Sequence, residues 1–475
     1  MTTLSPRRVF APVVEAATVR DLGLVVVAGV GFDLGVRSGI ATIGGTIGAV
    51  LAAAALLASG RVRSTAGRVL AGAAGIFGAF LCLRTSPWLV SLDLLVIAGA
   101  LVGAALLGRD APLGDVGPGA LAGRCWAAIR PMATGIAYVT RPLRPTDGVT
   151  AERRAGLAAV GRGAILAVPV LVVLGLLLAS ADALFARVIR LDALVGAIPE
   201  DVWAQVVLVV IGAVGTAGLL HVASTSPGDP VPGPARRLGT TEWTVVLGGV
   251  VGLFLVFAGA QVVALSDGGH RVLATEGLTY AEYARTGYFQ LLAVAGLTAA
   301  LLLGLGTLAD RTTAGRRFVV LAEVAVALTL VILLVAVRRL GLYEDAYGWT
   351  MLRLMVKASA VWLAVAFVLL GLRLAGIRPD RAWLLPAVTI AGLLVLLGLN
   401  VVNPEAMVAR HNLARGDRGR ELDSWYLGGL SDDAVPVLAG SPAVHDLVCT
   451  GEEARSALSW NRAASRAAAA RARVC

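Results

Sequence analysis

Apolar runs of about 20 residues, the length that crosses a hydrocarbon core of about 30 Å, recur along this chain and leave it few ways to fold. Eleven can be marked: Leu22–Val36, Ile40–Ser59, Ala66–Leu83, Trp88–Leu107, Gly156–Ser180, Trp203–Ala223, Glu242–Leu265, Gly287–Leu308, Phe318–Val337, Thr350–Leu374 and Trp383–Val402. The first is short, so tilted or re-entrant arrangements put the count between about ten and twelve. Composition agrees: 57% of residues are hydrophobic and 15% charged, with a mean hydropathy of +0.81, whereas a soluble globular chain carries about 25% charge. The expected fold is all-α, a polytopic transmembrane helix bundle followed by a small C-terminal helical region. Four stretches divide the chain: a four-span region over 1–107, a basic loop over 108–155, a seven-span core over 156–402 and a polar tail over 403–475.

The net charge of +10 resides in arginines between the runs, where basic residues set orientation. No nucleic-acid reader motif accompanies them. With the N-terminus inside, the cytoplasmic segments hold 21 arginines against 8 in the alternate ones, and 14 against 8 without the 108–155 loop. That predicts a cytoplasmic N-terminus and, with an odd count, an extracytoplasmic C-terminus in the plasma membrane. Ser5 to Phe10 resembles a twin-arginine export signal, but Glu15, Arg20 and Asp21 break the apolar core such a signal needs. Within the basic loop, Leu121–Arg144 mixes Trp126, Ile129, Met132 and Tyr138 with four arginines. An interfacial helix on anionic headgroups and a solvated loop interrupted by Pro131, Gly135 and Pro142 fit it equally. Gly44/Gly48, Gly99/Gly103 and Gly248/Gly252 place small residues one turn apart, as close helix packing requires.

Tyr343–Leu374 carries two cations into a membrane-length run, Arg353 and Lys357, and Lys357 is the only lysine of the chain. Charge at depth costs roughly 2.5–3.5 kcal/mol per residue and therefore faces a bundle interior or wet cavity. Thr350, Arg353, Lys357, Ala360 and Ala364 form one helical stripe, expected to be interior, with Leu352, Leu363 and Phe367 turned more nearly to lipid. A lysine among arginines is either a chance survivor or a group chosen for its compact, deprotonable ammonium. The second case predicts that Lys357→Arg impairs function. Removing a lone buried charge by Lys357→Met would instead stabilise the fold.

From the fifth run onward several blocks recur together: Ser180 to Phe185, Gly277 to Phe289, Tyr347-Gly348-Trp349-Thr350 with Arg353, Asn403-Pro404-Glu405 with Arg410-His411-Asn412, and Leu422-Asp423 through Tyr426 to Pro436. On these the chain resembles, over about residues 156–438, a bacterial family of multi-pass membrane proteins, common in actinobacteria and firmicutes and described only as a domain of unknown function. The resemblance implies a membrane fold and no reaction. Placed on the topology, Asp182, Tyr280, Glu282, Arg285, Tyr343 and Arg353 share the outer end, with Asp93 and Gln261 at similar depth. The candidate ligand-binding set is therefore Arg353, Lys357, Asp93, Asp182, Gln261, Tyr280, Glu282 and Arg285. A structural cluster in which Asp93 or Asp182 neutralises Arg353 or Lys357 explains the same residues equally. Glu323 enters from the other side and is expected to snorkel.

HExxH, GxxxxGK[ST], GxSxG and CxxC are absent, and His221, His270, His411 and His445 are scattered over different segments, an arrangement that predicts no metal site. No catalytic residue, metal or cofactor is assigned. In the tail, Asn403 should cap a helix begun by Pro404 and ending near Gly416, a short helix should follow Ser431, and a last one should run over Glu452–Arg473. Cys82 falls in a run and Cys125 in the basic loop, while Cys449 and Cys475 share the outward tail, where disulfides persist, and should pair. Together these features favour a non-enzymatic envelope protein that binds or moves an anionic or amphiphilic small molecule through an outward-facing polar cavity. A membrane enzyme acting on a lipid-linked substrate and a signalling or assembly scaffold are the alternatives. The lipid bilayer is the one partner implied; no protein partner is.

Overall fold

A computed structural model describes residues 15–108, 118–143, 200–225, 239–265, 288–308, 315–376, 383–449 and 456–475. Among them there are helices and turns but no strand. The helices are α1 Val19–Ser38, α2 Ile43–Ala58, α3 Thr65–Phe80, α4 Pro87–Leu106, α5 Pro118–Ala133, α6 Gly135–Val139, α7 Glu200–Ser224, α8 Thr240–Leu265, α9 Tyr288–Leu308, α10 Arg316–Tyr347, α11 Met351–Leu374 and α12 Leu384–Val402, followed in the tail by α13 Pro404–Gly416, α14 Ser424–Gly428, α15 Val435–Leu438 and α16 Arg462–Val474. Ten of the eleven apolar runs are thus helical, and Gly156–Ser180 lies outside the described residues. Among the described residues, six helices are long and apolar enough to cross a membrane: α4, α7, α8, α10, α11 and α12. α2, α3 and the apolar part of α9 are shorter, and α1 carries Arg20, Asp21, Asp33 and Arg37. Leu95, Leu253, Val256, Leu297, Leu334 and Leu394 stand exposed on five helices, a distribution that suits lipid and not water.

Local signals explain the starts. Thr18 and Asp21 form a reciprocal capping box at α1, Thr42 and Ser64 cap α2 and α3, and Thr350 caps α11. Neighbouring ends reveal direction. Trp243 meets Phe318 edge-on at 5.2 Å, and Arg339 donates to Gln261 at 3.2 Å, so α8 and α10 run parallel. α7 is antiparallel to α1: Glu15 N–H donates to the Ser224 carbonyl at 3.2 Å, and a Cβ on Gly29 would lie 2.5 Å from the Val209 carbonyl. Leu143 and Glu200 therefore end on opposite faces of the bundle.

Glycine pairing is real at one of the three anticipated places. A Cβ on Gly48 would sit 2.6 Å from the Gly31 carbonyl, and one on Gly44 would collide with Ser38, so α1 and α2 cross at van der Waals contact. Gly99, Gly248 and Gly252 have nothing within 4 Å of such an atom, and Gly103 meets only the end of Leu70. Spacing alone did not distinguish them.

α10 overruns the expected span Phe318–Val337 and continues to Tyr347, because no breaker intervenes before Gly348 at φ +81°. Its 32 residues make about 48 Å at about 1.5 Å per residue, longer than a bilayer core, so the last turns project from the bundle. α11 is also rotated from the expected stripe: Ala360 is buried as anticipated, but so is Phe367, which lies seven residues on and so repeats the same face. Leu352 is exposed, and Leu363 is partly buried.

The tail folds over the end of the bundle where α10 ends and α11 begins. Asn403 caps α13 by accepting from Ala406 N–H at 3.2 Å. Ser431 starts a turn rather than a helix, and α15 begins at Val435. The last helix starts at Arg462, well after Glu452, because Asn461 supplies its cap. Residues 450–455 lie outside the described set. A separate apolar core, including Ala409, Leu427, Leu438, Val448 and Ala467, holds the tail together. The structure joins Cys449 to Cys475, 26 positions apart with Cα atoms 5.7 Å from each other. Closing a loop of that size contributes roughly 3 kcal/mol by the chain-entropy relation, so Cys475→Ser should lower the unfolding temperature of the tail. Peptide maps with and without reductant should differ in this region, and identical maps would rule the bridge out.

Candidate functional site

Lys357 pairs with Glu344, the side chain of which is 2% exposed against 27% for Lys357. The ammonium also sits 5.4 Å from the Trp349 ring centroid, and Trp349 stacks on His411 at 4.3 Å. Arg353 bonds the Gly348 carbonyl and lies 4.2 Å from the centre of the Tyr343 ring. The tail secures this corner. Asn412 accepts from Trp349 N–H at 2.8 Å and donates to its carbonyl at 2.9 Å. Arg415 donates to the carbonyls of Glu344 at 2.9 Å and Ala346 at 3.1 Å, satisfying the end of α10 as a cation at a helix C-terminus does. Tyr426 accepts from Met351 N–H at 2.7 Å at the start of α11. Gly348 is required twice over, by its φ and because a Cβ there would lie 2.7 Å from Asn412 Oδ1. Burial, then Arg415, holds His411 below the usual imidazole range.

Among the described residues, Asp93 and Gln261 are engaged away from these cations. Asp93, fully buried, accepts from Asn400 Nδ2 at 2.8 Å. Gln261 belongs to Arg339. Asp182, Tyr280, Glu282 and Arg285 lie outside the described residues. The described members of the set therefore do not converge on one centre, and Lys357 takes its counter-ion from Glu344, only 13 residues away across the α10–α11 turn. Glu323 does not simply snorkel: its Oε1 is buried without a partner near α11.

A second polar network fastens the tail to the first half of the bundle. Asp433 accepts from Arg84 at 3.1 Å, Thr85 N–H at 2.8 Å and Ser86 N–H at 3.0 Å, capping α4, which has no side-chain cap of its own. Arg84 also reaches the carbonyls of Asn400 at 2.7 Å and Val401 at 3.1 Å. Buried Asn461 donates to the carbonyls of Ala41, Leu81 and Arg84 within 3.1 Å, while the Leu458 and Trp460 carbonyls receive the first N–H groups of α2 at 3.0 Å. Glu405 accepts from Ser431 N–H at 2.7 Å and from its hydroxyl at 2.5 Å.

Burial raises the Glu405 carboxyl above its ordinary range, against the lowering effect of Ser431. A carboxyl raised by folding adds stability below its unfolded value and loses it as pH climbs through the folded value. The tail should therefore melt at a higher temperature as pH falls into that window. Glu405→Gln should flatten this dependence in a thermal scan across pH, and an unchanged slope would contradict the assignment.

Beside the second network lies a hollow of about 390 Å³, walled by Phe80, Leu83, Val401, Pro436 and Val437 and by Arg84, Arg410, Arg462 and Arg466. The two aspartates beside it are already engaged, Asp433 by Arg84 and Asp432 by Arg471 at 2.7 Å. Arg410, Arg462 and Arg466 are exposed, and among the described residues no carboxylate pairs with them. The four guanidiniums converge from α13, α16 and the α3–α4 turn. Arg462 and Arg466, one turn apart on a helix with buried Ala463 and Ala467, were the signal that sequence reasoning missed.

A family model for a domain of unknown function, DUF4153, matches residues 71–440. The chain belongs to the DUF4153 family. Comparison with curated proteins and with solved structures gives no match. The DUF4153 stretch begins inside α3, earlier than the blocks above suggested, and ends after α15. It includes Arg84, Glu344, Lys357, Asn403, Arg410, Asn412 and Asp433, whereas α16, with Asn461, Arg462 and Arg466, lies beyond it. Three of the blocks that carry the likeness, around Trp349, His411 and Tyr426, meet in one place, the joint between tail and bundle.

Proposed function

We propose that this DUF4153 protein is a plasma-membrane protein of about eleven spans, with its N-terminus in the cytoplasm and its tail outside, that binds an anionic or amphiphilic small molecule between the bundle and the tail. The single observation that carries this reading is the arginine-walled hollow. Three cations with no carboxylate partner among the described residues, in a concave site, hold an excess positive field, and planar guanidiniums match the paired oxygens of phosphate or carboxylate. Phe80, Leu83 and Val401 on the bundle side give an acyl or other apolar group somewhere to lie. The arginine asymmetry supports the orientation; a reporter fused after Cys475 and active only in the cytoplasm would contradict it.

Binding of inorganic pyrophosphate and of dihexanoyl phosphatidate to the purified full chain, followed calorimetrically, tests the site and separates a free anion from a lipid headgroup. Arg462→Ala with Arg466→Ala should weaken whichever binds by at least about tenfold, since one charge-assisted hydrogen bond contributes about 1.5–3 kcal/mol. Equal affinities of parent and variant, or no binding of either probe, would overturn the reading.

A further inference from the structure

We propose that the outer side of α5 rests in the anionic lipid leaflet at the end of the bundle opposite the tail. One side of α5 is held by protein: Ala128 packs on the bundle core, the Pro131 carbonyl meets His221 Nδ1 at 3.0 Å, and Met132 lies against Gly218. These contacts set its C-terminal half level with the last turns of α7, the end where Tyr138 bonds the Glu15 carbonyl at 2.7 Å and stacks on His221 at 4.4 Å. α5 is attached sideways to α7 and α4, so its free side looks away from the bundle at the depth where spanning helices finish. That side carries Trp126, 78% exposed, and Ile129, 55% exposed, one turn apart, flanked by exposed Arg130, with exposed Arg141 and Leu143 just beyond α6.

At that depth the surroundings are either leaflet or water, and the residues discriminate. An indole and a β-branched alkyl side chain suit the boundary between headgroups and acyl chains, and the guanidiniums beside them suit lipid phosphates. Among the described residues the charges beside Trp126 and Ile129 are of one sign, Arg130 and Arg141, so the match is to an anionic leaflet. Trp126, Ile129 and Arg130 play no part in the tail joint or the arginine hollow, and this inference does not depend on that reading.

Cys125 is exposed on the same helix, and Cys82 is the other free cysteine among the described residues. In a Cys82→Ser background, a polarity-sensitive fluorophore on Cys125 would be followed in the full chain, reconstituted into phosphatidylcholine vesicles with or without phosphatidylglycerol. With phosphatidylglycerol, emission should shift to the blue, acyl-brominated lipid should quench it, and aqueous iodide should not. Trp126→Glu with Ile129→Glu should restore iodide quenching while the tail disulfide still forms. Arg130→Glu, which spares the apolar contacts, should lower the inserted-to-exposed ratio roughly fivefold, as one guanidinium at an anionic surface does. Iodide access in both vesicle types would overturn the proposal. So would shielding from both quenchers, which would mean a protein covers the helix. Equal insertion without phosphatidylglycerol would refute the anionic preference.

Discussion

Lys357→Met should destabilise the protein by about 3–5 kcal/mol, the cost of leaving one partner of a buried ion pair without the other. Sequence reasoning points the opposite way, since deleting a lone intramembrane cation relieves the fold. The structure reverses the sign because Glu344 is the more deeply buried of the two. With Lys357 gone, the buried Glu344 carboxylate must either stay charged without its salt-bridge partner or take up a proton. Thermal unfolding in detergent measures the loss. Glu344→Gln in the Lys357→Met background should recover most of it, because two neutral groups carry no stranded charge. A single Lys357→Met variant as stable as the parent would show that the pair does not hold this corner. Lys357→Arg keeps the charge but must fit a larger planar group beside Trp349, so a milder loss is expected.

Asp433→Ala should free the tail from the bundle while leaving the spanning helices in place. The Asp433 side chain is 1% exposed and receives Arg84 and two backbone N–H groups that cap α4. Truncation leaves two backbone N–H groups without their acceptor and Arg84 with only its carbonyl partners at Asn400 and Val401, a loss of about 1–3 kcal/mol. Hydrogen exchange read by mass spectrometry should show faster exchange at residues 84–86 and 400–406 and across α16, with α8 and α10 unchanged. Asp433→Asn, which keeps the shape and one acceptor, should lose less. Equal protection in parent and Asp433→Ala would mean that the tail is held without this network.

What the sequence disclosed and what it hid follow from range. Apolar runs are a property of consecutive residues, so the helices were legible even where their ends were not. The Asn403-Pro404-Glu405 start of α13 was legible for the same reason, since a cap and a first-turn proline act within one turn. The long-range contacts were not. Asn461 bonds three carbonyls more than 370 positions away, and Asp433 caps a helix nearly 350 positions earlier; no local pattern records either. Glu344 was within sight of Lys357, but a helix period drawn through one segment cannot cross the turn at Gly348. Arg84 was read only as a charge that reports orientation, and Arg462 with Arg466 only as part of a basic tail. Their convergence depends on α16 folding back over the α3–α4 turn.

Whether the arginine hollow or the Lys357 corner binds the ligand is decided by a cryo-electron microscopy map of the full chain in nanodiscs with dihexanoyl phosphatidate. Density for the headgroup is expected among Arg84, Arg410, Arg462 and Arg466, with Lys357 still paired to Glu344. Ligand density beside Lys357, with Glu344 displaced and the arginine hollow unoccupied, would contradict that expectation.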